Sequence, residues 1–368
     1  MSALELFLEL AAMPSPPGEE RAVADRVAAE LRELGLQVDE DDAGERIGST
    51  AGNLYARLDP TTAGTPIFLC AHLDTVPPVG PLEPVVEDGV IRNAGGTILG
   101  ADNKSAVAAM VESARRLVAE GRPHAGVELV FTPKEEVGCR GAEAFDCARL
   151  AARVGFVYDQ AGPIGEVILG APNSTALEVT FRGQAAHAGI APEEGRSAIA
   201  AAARAIADMR LGRLDEETTS NVGTIRGGVA RNIIPDLCTF SAEARSHDEA
   251  KLSDVVQEHL DACSFAASLT GCEVETEVER RFRGYRFRRD DQPVRLASAA
   301  LERSGYTPTY ALSGGGADAN IFNTRGLACL NLANGMAEIH TPQEHIAAAD
   351  LDAMVAVTLA IVDEARAA

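Results

Sequence analysis

The chain has 368 residues, 46% of them hydrophobic, which is enough for a substantial core in two domains or one large one. Its formal net charge is −22, and a surface that acidic disfavours nucleic acid and anionic membranes as partners. Seven scattered cysteines without a Cys-x-x-Cys predict reduced thiols in a cytoplasmic protein, and no run approaches the ~18 apolar residues of a membrane span.

The N-terminal residues Met1 to Leu10 lack a basic region, and Glu5 and Glu9 interrupt their apolar positions. They predict a short amphipathic helix and not a signal peptide. A second helix is expected over 19–34, closed by Gly35, followed by strands near 36–40, 52–58 and 66–71. The run Ile67 to Ala71 is continuously apolar, as in a strand buried on both faces. Apolar residues at helical spacing from Val107 to Val118 predict a helix over 103–119. Val127–Phe131 and Val154–Tyr158 read as further strands. This alternation predicts an α/β layered domain.

The pattern changes near Pro172. Thr175, Leu177, Val179 and Phe181 alternate with polar neighbours, as in a sheet with one wet face. Helices over 195–210 and 248–263 and strands near 221–227, 236–245 and 272–282 complete a βαββαβ order, the ferredoxin-like unit. Residues 172–285 are therefore expected to form an inserted domain, leaving 1–171 and 286–368 as one discontinuous domain. A last helix is expected over 349–366.

Five acidic or histidine motifs follow buried runs or open helices: His72-Leu73-Asp74, Gly100 to Lys104, Glu135-Glu136, Tyr158-Asp159 and Ile339 to Pro342. Imidazoles and carboxylates in that number are the ligand set of a two-zinc hydrolytic centre, and cobalt or manganese suits the same ligands. One carboxylate must bridge the two ions, and Asp102, at a helix start behind a Gly-Ala turn, is the natural one. His72 and Asp159 would complete one ion, and Glu136 and His340 the other. Asp74 is placed to orient the His72 imidazole. Glu135 is then the general base, passing a water proton to the leaving amine.

These residues resemble the co-catalytic zinc exopeptidases that include tripeptide aminopeptidase (peptidase T), carboxypeptidase G and the succinyl-diaminopimelate and acetylornithine deacylases. The resemblance covers nearly the whole chain and includes Ala71 to Thr75, Gly100 to Lys104 and Thr132 to Gly138. It extends to Ala186 to Gly189 and Arg231 to Pro235. It implies a catalytic domain with a mixed sheet flanked by helices, two Zn2+ per subunit, a metal-bridging hydroxide, and an inserted ferredoxin-like α+β lid through which the chain forms a homodimer. His187 is implied to stabilise the oxyanion in the partner subunit's active site. Asn232 and Arg245 are implied to hold the substrate, and Gly314, Gly315 and Gly316 to form a substrate loop. Aminopeptidases and dipeptidases of this family tend to carry Asp at position 159 and the carboxypeptidase and deacylase branches Glu, so Asp159 points to a peptidase. Tyr158 to Gly162 and Thr219 to Gly223 resemble the shorter peptidase T-like members, which implies an aminopeptidase acting on tripeptides. A dipeptidase, or an N-acyl-amino-acid deacylase or carboxypeptidase, is the alternative.

Other residues invite over-reading. His345 is expected beside the site or on the surface, and His124, His247 and His259 on the surface. The arginines from Arg280 to Arg289 are expected in surface ion pairs, with capture of a substrate carboxylate as the sharper alternative. Cys139 needs no nucleophilic role beside a metal centre.

Overall fold

The computed structural model describes all 368 residues, Met1–Ala368. The chain divides into two compact units. Met1–Gly170, Arg286–Ser313 and Ala317–Ala368 form the first, and Ala171–Tyr285 with Gly314–Gly316 the second.

The first unit is built on a mixed sheet. Its strands lie in the order Val38–Glu40, Leu54–Leu58, Val127–Thr132, Ile67–His72, Val154–Gln160, Ala328–Ala333 and Glu166–Ala171. Ile67–His72 runs parallel to both neighbours, with His72 opposite Thr132 and Cys70 opposite Val157. Every residue of Ile67–His72 and Val127–Thr132 is buried, which accounts for the unbroken apolar run from Ile67 to Ala71. In the second strand the buried Glu128 interrupts the run and accepts the Tyr55 hydroxyl and the Ala151 and Ala152 N–H groups. The Ala101–Glu120 helix packs beside them with Ala101–Ala114 wholly buried. The Ala3–Ala11 helix starts with a capping box, in which Ser2 and Glu5 each accept the other's backbone N–H, and buries Leu6, Phe7 and Leu10. The C-terminal helix, Ala348–Ala367, is apolar nearly all round and buried accordingly.

Two small sheets were not expected from the sequence, the pair Ala186–His187 and Ile233–Ile234 and a three-stranded one. Strands Pro84–Glu87 and Val90–Asn93 form a hairpin, and His345–Ala347 pairs with the second of them. His345 therefore sits in a strand opposite Arg92, with its ring Nδ1 2.9 Å from the Gln343 carbonyl.

The second unit follows the βαββαβ order. Its antiparallel sheet runs Gly212–Arg213, Thr218–Gly227, Leu237–Ser246, Asn173–Arg182 and Glu273–Phe282. The Ala198–Asp208 and Glu249–Thr270 helices close over Leu177, Val179, Phe181 and Phe240, with Ala201, Ala205, Cys263 and Ala266 filling the interface. Glu249–Thr270 runs seven residues past the expected end. Phe265 and Leu269 on its last turns are exposed, and this blurs the apolar periodicity that would have marked the extension.

Two histidines expected on the surface are buried. His259 lies on the inward stripe of Glu249–Thr270 with Val255 and Cys263, its Nε2 3.2 Å from Ser220 Oγ. His124 closes a turn, its carbonyl accepting the Thr61 N–H and its Nδ1 the Gly126 N–H. All seven cysteines are unpaired, and no helix is long and apolar enough to cross a membrane.

Candidate metal centre

Three adjacent parallel strands end at the same edge of the sheet, and each delivers a polar residue there. His72 ends one strand, Asp159 lies near the end of the next, and Glu135 and Glu136 follow Thr132 on the third. The carboxyl ends of parallel strands are where open α/β sheets bind ligands. Asp102 arrives from the start of Ala101–Glu120, behind Gly100 at φ +78°, and its own backbone is not yet helical. His340 comes from the loop before His345–Ala347 and is half exposed.

Asp102 stands between the two imidazoles. Its Oδ1 is 3.2 Å from His72 Nε2, and its Oδ2 is 3.2 Å from His340 Nε2. Asp159 Oδ1 lies 3.5 Å from His72 Nε2, and Glu136 Oε1 3.1 Å from His340 Nε2. Two ligand groups result, His72–Asp102–Asp159 and Asp102–Glu136–His340, each with its donor atoms within 4.8 Å of one another. They share Asp102, as a pair of ions about 3.5–4 Å apart requires.

The tautomer of His72 follows from its other nitrogen. Nδ1 is 2.9 Å from the Asp74 carbonyl, which can only accept, so Nδ1 carries a proton and Nε2 faces the carboxylates. Asp74 does more than orient this ring. Its Oδ1 accepts the Glu135 N–H at 2.9 Å and its Oδ2 the Glu136 N–H at 3.1 Å.

The loop after Thr132 is tightly folded. Gly138 N–H and Cys139 N–H both donate to the Glu135 carbonyl at 2.8 Å, and Gly141 N–H donates to that of Pro133 at 3.0 Å. Lys134, Gly138 and Cys139 all have positive φ. A Cβ on Gly141 would lie 2.3 Å from the Pro133 oxygen, so only glycine lets the loop close.

The charge balance of these residues calls for cations. Burial and the charge of Asp102 push the Asp159 carboxyl up to about 7. Burial and the charge of Asp159 push Glu135 well above the usual carboxylate range. Burial would lower His72, but the carboxylates of Asp159, Asp102 and Asp74 hold it well above its ordinary value. Hydrogen bonds to Asp102 and Glu136 raise His340 to about 10. Protons thus occupy positions that divalent cations would take, and the imidazole and carboxylate donors suit zinc, cobalt or manganese.

Supporting residues escaped the sequence reading. The Glu344 carboxylate is buried and accepts the N–H groups of Leu99, Gly100 and Asp102 at 2.8, 2.9 and 3.0 Å. Asn331 brackets Asp159, its Oδ1 accepting the Asp159 N–H and its Nδ2 donating to the Asp159 carbonyl. Asp318, beyond the glycine run, is buried and accepts from Thr132 Oγ1 at 2.5 Å. Two of them had a sequence signal: Glu344 in its place four residues after His340, and Asp318 at the end of the Gly314 to Asp318 run that resembles a substrate loop near the metals.

The structure brings together His72, Asp74, Asp102, Glu135, Glu136, Asp159 and His340, all in the first unit. The remaining expected residues belong to the second. His187 is exposed on the two-residue strand Ala186–His187, opposite Ile233, and Asn232 is exposed beside it with its carbonyl accepting the Ala188 N–H. Arg245 donates to Glu243 at 3.0 Å and to the Gly314 carbonyl at 3.3 Å. The arginine run splits among several partners. Arg280 pairs with Glu249, Arg281 with Glu279, and Arg289 lies over the Tyr310 ring.

Comparison with known proteins gives concordant matches. The model of "Peptidase family M20/M25/M40" matches residues 68–364. A protein of Bacillus subtilis (strain 168), "Uncharacterized protein YqjE", is 38% identical over 98% of both chains. The crystal structure of aminopeptidase PepT from Bacillus cereus ATCC 10987 is 38% identical, with a TM-score of 0.87 over 99% of this chain and 98% of that one. The crystal structure of a tripeptidase from Staphylococcus aureus subsp. aureus Mu50 is 34% identical, with a TM-score of 0.93 over 100% of this chain and 98% of that one.

Proposed function

The chain belongs to peptidase family M20/M25/M40, and from that premise we propose that it is a two-metal aminopeptidase releasing the N-terminal residue of short peptides, tripeptides foremost. The observation that carries this reading is Asp102, whose two oxygens each meet a different imidazole. Full-length similarity to structures described as an aminopeptidase and a tripeptidase supports the substrate class.

His72 and Asp159 would hold one ion, Glu136 and His340 the other, and Asp102 both. When bound, such ions polarise a scissile carbonyl and lower the pKa of water toward ~7. Glu135 takes the proton of the attacking water and returns it to the departing amine. Asp74 holds the base and the neighbouring ligand through their N–H groups and fixes the His72 ring from the same position. His187, Asn232, Arg245 and Gly314–Gly316 are assigned to the substrate, with His187 serving the oxyanion in a partner subunit. A cytoplasmic homodimer using zinc is the setting this reading implies, and the unpaired cysteines support a reducing compartment.

The test is release of amino acid from a tripeptide, beside the same tripeptide acetylated at its N-terminus, with and without chelator. Cleavage of the free peptide alone, lost on chelation, is expected. Glu135→Gln should lower kcat about a thousandfold while leaving the metals bound. Preference for the acetylated substrate would transfer the chain to deacylase or carboxypeptidase chemistry.

A further inference from the structure

The side-chain donor that reaches the Glu135 carboxylate is a thiol, with Cys139 Sγ 3.3 Å from Glu135 Oε1. Cys139 is 1% exposed, and burial and the Glu135 charge hold its thiol well above the ordinary range. At neutral pH it is therefore a protonated S–H facing an acceptor.

The backbone points the same way. Cys139 sits at φ +55°, a left-handed conformation that favours glycine, and its neighbour Gly138 at φ +104° is a glycine. A side chain is kept where the backbone would be relaxed without one, and such strain marks a position with a task. The same residue's N–H donates to the Glu135 carbonyl at 2.8 Å. Cys139 thus grips Glu135 twice, at the backbone and at the carboxylate, and the start of the Arg140–Ala144 helix fixes its own position.

We infer that Cys139 is a positioning residue for the reaction, its thiol donating to Glu135 Oε1 and so holding the general base in the rotamer that faces the attacking water. This inference rests on Glu135 being the base. It assigns the thiol no nucleophilic or redox step.

The experiment compares Cys139→Ala, Cys139→Ser and Cys139→Gly on the full, metal-loaded protein with a tripeptide substrate. Glu135→Gln is run alongside. Loss of the donor in the Ala and Gly variants should lower kcat about tenfold, with KM within about twofold and both metals retained. The serine hydroxyl should restore kcat to within about threefold of the parent. Glycine suits the left-handed backbone at this position, so a folding defect in the alanine variant does not end the test. An unchanged kcat in Ala and Gly overturns the inference. So does a serine variant as slow as alanine, or loss of kcat together with KM and metal content, which would be a structural effect. If Glu135→Gln itself turns over normally, the base assignment fails first. If that variant is inactive while Cys139→Ala matches the parent, only the positioning role falls.

Discussion

Asp74 shows how much one carboxylate can organise. Two consecutive N–H groups, those of Glu135 and Glu136, use both its oxygens, and its carbonyl fixes the His72 tautomer. Asparagine would present an NH2 to one of those N–H groups and lose that bond. Asp74→Asn should therefore lower turnover or metal affinity about 10–100-fold, read from kcat together with metal content after dialysis. The neighbouring acids carry a second expectation. Asp159 in the folded protein titrates at about 7 and His340 at about 10, both above their ordinary values. A raised folded pKa gives stability that is complete below the unfolded value and is lost as pH rises through the folded one. The metal-free protein should therefore lose thermal stability as pH rises from about 4, where Asp159 of the unfolded chain begins to ionise, to about 10, where His340 of the folded chain loses its proton. Asp102 is shifted the other way by its imidazole partners, in spite of its burial, so its contribution is lost only in strong acid. Bound metal replaces these protons, and the slope should flatten. Thermal midpoints across this range, with chelator and with zinc, check it, and parallel curves would mean that these groups are not the metal ligands.

At the scale of elements, the loop after Thr132 depends on one glycine. A methyl at position 141 would lie 2.3 Å from the Pro133 oxygen, a distance that forces the backbone to move. Gly141→Ala should cost about 1–3 kcal/mol in urea unfolding and lower kcat, because the displaced turn also carries Glu135. A variant as stable and active as the parent would show that the loop adapts freely. The elements that place the metal centre were legible in the sequence because burial leaves a strong signature. Ile67–Ala71 is an unbroken apolar run with His72 directly after it, and Val127–Phe131 is apolar but for Glu128, with Glu135 and Glu136 a few residues further on. The Pro84–Glu87 and Val90–Asn93 hairpin was not legible, because its strands are short and mostly half-exposed and show neither an apolar run nor a clean alternation. Glu344 and Asn331 were missed for a different reason. Their partners lie 245 and 172 positions away, and side chain to backbone hydrogen bonds leave no periodic trace. His259 shows the reverse error. Its sequence neighbours Glu258 and Asp261 are polar, but the helix turns the ring inward at the spacing of Val255 and Cys263.

For the molecule as a whole, the pattern changes near Pro172 and returns near Pro293, and the two compact units part at Gly170/Ala171 and Tyr285/Arg286. The switch was readable because a sheet covered on one face alternates, whereas one covered on both does not. The excursion of Gly314–Gly316 into the second unit was not readable, since three glycines carry no pattern. All the groups proposed to hold metal and move protons lie in the first unit, while His187 is exposed on the second. If a homodimer brings His187 of one subunit to the metals of the other, each site needs two chains, and this is testable by mixing. His187→Ala and Glu135→Gln should each be nearly inactive alone, the first with its metals in place. Co-refolded in equal amounts, they form mixed dimers in about half of all pairs, and in each mixed dimer one site has an intact Glu135 from one chain and an intact His187 from the other. Activity should then return to about a quarter of the parent value. If His187 serves its own chain, every site in the mixture still lacks one of the two residues, and no activity returns.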